Sequence, residues 1–268
     1  MRSTSRPGLL VIPLIVIAAL AAAPAPARAG DLLKPVRTLV YEVALTVGIV
    51  HRTPRAAPST LVTRGIGRAA RAQGVVPGAP GGPSENVSRA GVETRGTIAV
   101  DVIAATGDGG LVADIAETAP GRTHAKVRLA VSHDGSVVAD PKFANDITEE
   151  EVSLARWLAR GFYSDHPREA GTGWTVDQSG SGVVAAEHYR VLSAADKRVT
   201  LAYSLEQSES ATSSALTRAG SLVYDTGFVV PISATYEGQA RRQTFEAVDE
   251  THTSVVLKLT ADSFAKKS

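Results

Sequence analysis

The chain is 268 residues long, 44% hydrophobic and 21% charged, with 28 basic against 27 acidic side chains and no cysteine. That balance argues against a basic nucleic-acid or anionic-lipid binder, and the missing thiols exclude disulfides, thiolate metal sites and a lipidated cysteine. A chain of this length without such staples must be held by its own core.

Residues 1–29 have the three parts of a secretory signal peptide. Arg2 and Arg6 make the basic start, Leu9 to Ala23 is an uncharged apolar run, and Ala27-Arg28-Ala29 puts small residues where a signal peptidase reads. Gly30 is then the expected first mature residue. A retained membrane anchor fits less well: the run has 15 residues, a spanning helix needs roughly 20, and Pro24 and Pro26 stop any extension. Without Arg2, Arg6 and Arg28, the remaining 239 residues carry 25 basic and 27 acidic groups, a net charge of −2. No later stretch is apolar for long enough to form a spanning helix. The expected destination is a periplasm or the extracellular space.

After the leader, period-two alternation dominates, the mark of strands with one buried face. "VRTLVYEVALTVGIV" opens the mature chain as a strand. Residues 52–86, rich in Gly, Pro, Ala and Arg, read as a long loop with a short strand at Thr60 to Arg64. Within it Arg64, Arg68 and Arg71 would share a helical face and are the candidate contacts to an anionic partner, although Gly65 and Gly67 weaken a helix there.

"GTIAVDVIA" sets Ile98, Val100 and Val102 together, and "THAKVRLAVSH" does the same for Ala125, Val127, Leu129 and Val131. "VTLAYSLEQ" aligns Val199, Leu201, Tyr203 and Leu205, and "TSVVLKLTA" aligns Val255, Leu257 and Leu259. Such alternation suits an antiparallel sheet with one wet face. Asp108-Gly109 and Asp134-Gly135 are expected to be tight hairpin turns. "SAADK" at 193–197 reads as a longer hairpin loop, "YDTGFVVP" at 224–231 as a turn with Gly227 at its tip, and 165–182 as a Gly-rich connection.

One helix interrupts the strands, over about 147–161. Thr148 and Glu151 make a capping box, the acids at 149–151 suit the positive end of the helix dipole, and Gly161 is a natural stop. Leu154, Leu158 and Phe162 form one apolar stripe with Ile147 and Ala155. The fold class is therefore mainly β: a single domain over residues 30–268, built as a strongly curved antiparallel sheet or half-barrel with one packed helix.

Catalytic patterns are missing. His51, His124, His133, His166, His188 and His252 show none of the usual metal-ligand spacings, so they are expected to face solvent, with no metal and no cofactor. "QSGSGVV" lacks nucleophile-elbow spacing around Ser181. "TEEEV" and "AVDETH" are acidic runs that normally cap or solvate, and "GAPGGPS" lacks the lysine of a phosphate loop. The expectation is a protein that is not an enzyme.

"VTLAYSLEQ" and "SVVLKLTAD" arranged around "TEEEVSLARWLARGF" resemble, in element order, the half-barrel of periplasmic lipoprotein-carrier proteins. The chain also looks like uncharacterised exported bacterial β-rich proteins. The carriers usually begin with a helix where this chain has a strand, and no functional residue is carried across. The resemblance implies a lipid-like or other hydrophobic ligand in a groove between sheet and helix. Leu154, Leu158 and Phe162 are the candidate lining residues. Trp157, off the stripe, is a fourth, although a tryptophan at a helix–sheet joint, like Trp174, more often packs. The alternative is a structural domain that engages an envelope protein through its edge strands and Arg-rich loop.

Overall fold

A computed structural model describes residues 34–54, 85–139, 147–159, 162, 165–166, 168–177, 183–209, 213–244 and 247–264. The leader, Gly30, the suggested strand at 60–64, Arg64, Arg68, Arg71, Gly161 and Ser181 lie outside the described residues.

Eleven strands and one helix follow in chain order: β1 (Arg37–Pro54), β2 (Glu85–Ala105), β3 (Leu111–Thr118), β4 (Val127–Val131), β5 (Val137–Ala139), α1 (Glu149–Leu158), β6 (Gly173–Asp177), β7 (Val183–Ala195), β8 (Arg198–Glu209), β9 (Ser214–Asp225), β10 (Val230–Gln243) and β11 (Val248–Asp262). They form one antiparallel sheet in the order β5-β4-β3-β2-β1-β11-β10-β9-β8-β7-β6. Every neighbour is a chain neighbour except β1 and β11, so the first and last strands meet at the sheet's centre. The two edges, β5 and β6, are consecutive strands in the chain, and α1 lies between them in sequence. The sheet is not closed.

Alternation places most of the core as expected; Val102, at a register shift of β2 against β3, and Leu259 are half-buried, and Ala125, before β4 begins, is exposed. Ile98 and Val100, then Val127, Leu129 and Val131, then Val199, Leu201, Tyr203 and Leu205, and Val255 with Leu257 are all buried on one face. Leu39, Tyr41, Val43 and Leu45 of β1 join them. The helix touches both wings: β4 and β5 on one side, and β7 on the other through Arg156–Glu187 and Trp157–Tyr189.

Turn chemistry holds at both Asp-Gly pairs, where Gly109 and Gly135 take φ of 89° and 86°. The loop expected at 193–197 is instead a two-residue turn, Asp196-Lys197, between paired Ala195 and Arg198. Both residues have positive φ, as a right-twisting hairpin demands even without glycine. Residues 165–182 are more than a connection, since Gly173–Asp177 pairs with β7 as the edge strand β6. In the 224–231 turn the Asp225 carboxylate accepts hydrogen bonds from the N–H groups of Gly227 and Phe228. β1 runs on through Pro54 and β2 starts at Glu85, which trims the Gly-rich segment. The helix is shorter than expected: it ends at Leu158 because Ala159 turns extended, at φ −63° and ψ 138°.

Candidate functional site

Three strands carry a charged residue in the phase of their buried face. Glu117 follows Ala113 and Ile115 on β3, Glu187 follows Val183 and Ala185 on β7, and Arg218 precedes Leu222 and Tyr224 on β9. All three are buried. A buried charge is costly without a partner, and each of these finds one on α1 or in the corner packed against it.

The three acids of the first helical turn therefore do more than cap. Glu149 pairs with Arg218, Glu150 with Arg122 at 2.8 Å, and Glu151 with His124 at 2.9 Å. At the far end Arg156 pairs with Glu187 and donates through Nε to the Gly135 carbonyl at 3.1 Å. Tyr189 donates to Glu187 at 2.7 Å, and the Trp157 indole donates to Tyr189 at 3.1 Å. An unbroken polar chain thus runs from the β4–β5 turn through α1 to β7. Burial and the nearby Glu187 raise the Tyr189 phenol well above its usual range, so it stays a donor.

The corner between β3 and β4 gathers Glu117, His124 and Glu151 into one titratable cluster. The His124 N–H bonds back to the Glu117 carbonyl at 3.1 Å across the turn at 118–123, which brings their side chains together. Glu117 and Glu151 are both almost fully enclosed, and the His124 side chain keeps 11% exposure. Burial pushes the Glu117 carboxyl up to about 7; Arg122 opposes this, and Glu151 with Glu150 adds to it. Burial also raises Glu151, against hydrogen bonds from Thr148 and the nearby His124. Burial alone would lower the His124 imidazole, but the Ala125 carbonyl and Glu151 outweigh it and raise it. His124 therefore does not face solvent as the spacing suggested, and the backbone bond that turns it inward joins residues seven apart.

Beyond the end of α1 lies an apolar cavity lined by Phe162, His166, Arg168, Trp174, Val199, Leu201 and Tyr224. Phe162 meets Trp174 and Tyr189 edge-on, with ring centroids 5.8 and 5.1 Å apart. Trp174 stacks between His166 at 4.5 Å and Tyr189 at 5.1 Å. The enclosed space holds about one water. The Trp174 indole nitrogen is buried with no acceptor among the described residues.

Of the four expected lining residues, Phe162 borders this cavity. Leu154, Trp157 and Leu158 are sealed into the core instead, because the helix turns its whole sheet-facing side, not only the apolar stripe, against strands. Trp157 is 1% exposed and packs edge-on against Tyr203. No protein-family model matches the chain, and no curated protein resembles it at a significant level. No described helix is long and apolar enough to cross a membrane.

Proposed function

We propose that this is an exported, non-enzymatic binding protein that seats an apolar ligand at the Phe162–Trp174 end of the helix–sheet interface. The cavity lined by Phe162, Trp174, Val199, Leu201 and Tyr224 is the observation that carries the reading. Ligand sites are typically apolar hollows with a few polar groups that fix orientation. His166 and Arg168 supply polar groups in the lining here, and the unmet Trp174 N–H supplies a donor. A chain such as an acyl tail ending in a carboxylate or carbonyl matches that combination. The enclosed volume is small, so uptake needs the stacked His166–Trp174 pair to shift. The three-part leader supports export, and the half-barrel resemblance supports a carrier role.

The test is native mass spectrometry of the exported chain, followed by titration with laurate as probe. The expected result is a bound mass released by organic solvent and saturable laurate uptake. Val199→Phe, which fills the cavity without adding charge, is expected to weaken uptake at least tenfold. A folded Val199→Phe variant with unchanged uptake, or a wild type that takes up neither, overturns the reading.

A further inference from the structure

The Glu117–His124–Glu151 cluster lies at the opposite end of α1 from the apolar cavity, and neither core packing nor the ligand reading uses it. One donor atom from each residue lies within 4.8 Å of the other two. In each side chain the protein anchors one polar atom and leaves the other unanchored or facing the cluster. Glu117 Oε2 accepts from Arg122 at 3.1 Å, while its Oε1, fully buried, has no partner among the described residues. Glu151 Oε2 accepts from the Thr148 N–H at 2.9 Å, leaving Oε1 to His124 alone. His124 Nδ1 lies 2.8 Å from the Ala125 carbonyl; a carbonyl only accepts, so Nδ1 carries a proton and Nε2 faces Glu151.

That is the arrangement metal ligands show when outer partners orient them. A coordinating histidine typically donates its other ring N–H to a backbone carbonyl, and its carboxylate neighbours are themselves hydrogen-bonded. Charge points the same way. A divalent cation that displaces the His124 Nε2 proton leaves the imidazole neutral, and its two charges then offset ionised Glu117, Glu150 and Glu151 against Arg122, in a setting where uncompensated charge is costly.

We infer that Glu117, His124 and Glu151 form a binding site for one divalent transition-metal ion, with a fourth position open towards the exposed edge of His124. One imidazole nitrogen and two carboxylates are ligands that Zn²⁺ accepts, and three protein ligands with an open position is a common zinc arrangement. Glu151 belongs to α1, Glu117 to β3 and His124 to the segment leading into β4. The ion would therefore clasp the helix to one wing of the sheet.

Zinc is the probe. The whole exported chain, stripped with a chelator, is titrated with Zn²⁺ by calorimetry, and with Co²⁺ while its visible absorption is followed. The expected result is one ion per chain and a Co²⁺ spectrum carrying a nitrogen–oxygen ligand signature. Glu117→Gln and His124→Ala are each expected to weaken binding at least tenfold. Asp249→Asn, at the separate His51–Asp249 pair, is expected to leave it unchanged. Glu117→Gln keeps size and shape, and circular dichroism establishes that it is folded. Absence of a stoichiometric site in the wild type overturns the inference. So does a site that survives both substitutions, which would place the ion elsewhere.

Discussion

The sheet's centre and its two wings are held by different physics. In the centre, β1 is flanked by β2 and β11 along nearly its whole length, and the buried face is aliphatic and aromatic from Leu39 to Leu45 and again at Val255 and Leu257. At the wings the strands are short, five residues in β4 and β6 and three in β5. Nearer the centre, on β3, β7 and β9, the inner face gives way to Glu117, Glu187 and Arg218, which meet α1 or the corner packed against it. The centre needs only a period of two. The wings need particular partners at particular places, and the helix is the strut that carries them. Burial drives both regions, but only the second depends on which charge meets which.

Substitutions that break this contrast are ordered by size. Trp157→Ala removes the largest fully buried side chain together with its hydrogen bond to Tyr189. It is expected to cost about 3–5 kcal/mol, read as a lower urea midpoint at constant slope. Arg156→Ala leaves Glu187 buried without its opposite charge, still accepting from Tyr189, and is expected to cost about 3 kcal/mol. The double variant Arg156→Met with Glu187→Leu is expected to recover most of that loss, since a buried pair replaced by apolar groups is often neutral. If the double variant is no more stable than the single one, the pair supplies more than mutual neutralisation.

Gly135→Ala is expected to cost about 1–2 kcal/mol. Its φ of 86° is unfavourable for any residue with a Cβ, and that Cβ would lie 2.8 Å from Arg156 Cγ. The same change at Gly121, where φ is 76° but the space is open, isolates the backbone part of the cost by comparison.

The smallest effect belongs to the centre. Burial raises the Asp262 carboxyl, but Arg37, bonded at 3.0 and 2.6 Å, and the Phe264 N–H outweigh it and hold the carboxyl below its usual value. A depressed carboxylate stabilises the fold above its unfolded pKa of about 3.9, and the contribution is lost as pH falls through the lower folded value. Wild type minus Asp262→Asn stability is therefore expected to be roughly constant, at about 1 kcal/mol, above about pH 5 and to shrink below about pH 4. Denaturant titrations across that range check it, and a difference that grows on acidification contradicts the assignment.

The same division explains what the sequence revealed. Alternation in "VTLAYSLEQ" needs only its own residues, and the structure buries Val199, Leu201, Tyr203 and Leu205 as read. The Thr148–Glu151 box is equally local and is present with both of its hydrogen bonds. The wing contacts join residues distant in sequence: Arg156 to Glu187, Arg218 to Glu149, Arg122 to Glu150. A signal was nonetheless there, since an acid or arginine in the buried phase of a strand must have a partner. Glu117 after Ala113 and Ile115 is that signal for the candidate metal centre. What alternation could not supply is the turn at 118–123 that folds His124 back onto Glu117. The edge strand β6 was hidden for another reason: its Gly173 and the preceding Gly171 read as loop, although the missing Cβ of Gly173 lets the Tyr189 carbonyl approach closely.

Native-state hydrogen exchange on wild type and Arg156→Ala tests the strut most directly. Cooperative units open with their own free energies. In the variant, amides of α1, β4–β5 and β6–β7 are expected to lose protection together, by about a hundredfold (roughly 3 kcal/mol), while β1, β2 and β11 keep a larger share of theirs. Uniform loss across all eleven strands, or an α1 that exchanges as in wild type, would contradict the claim that an ion-paired helix holds the two wings together.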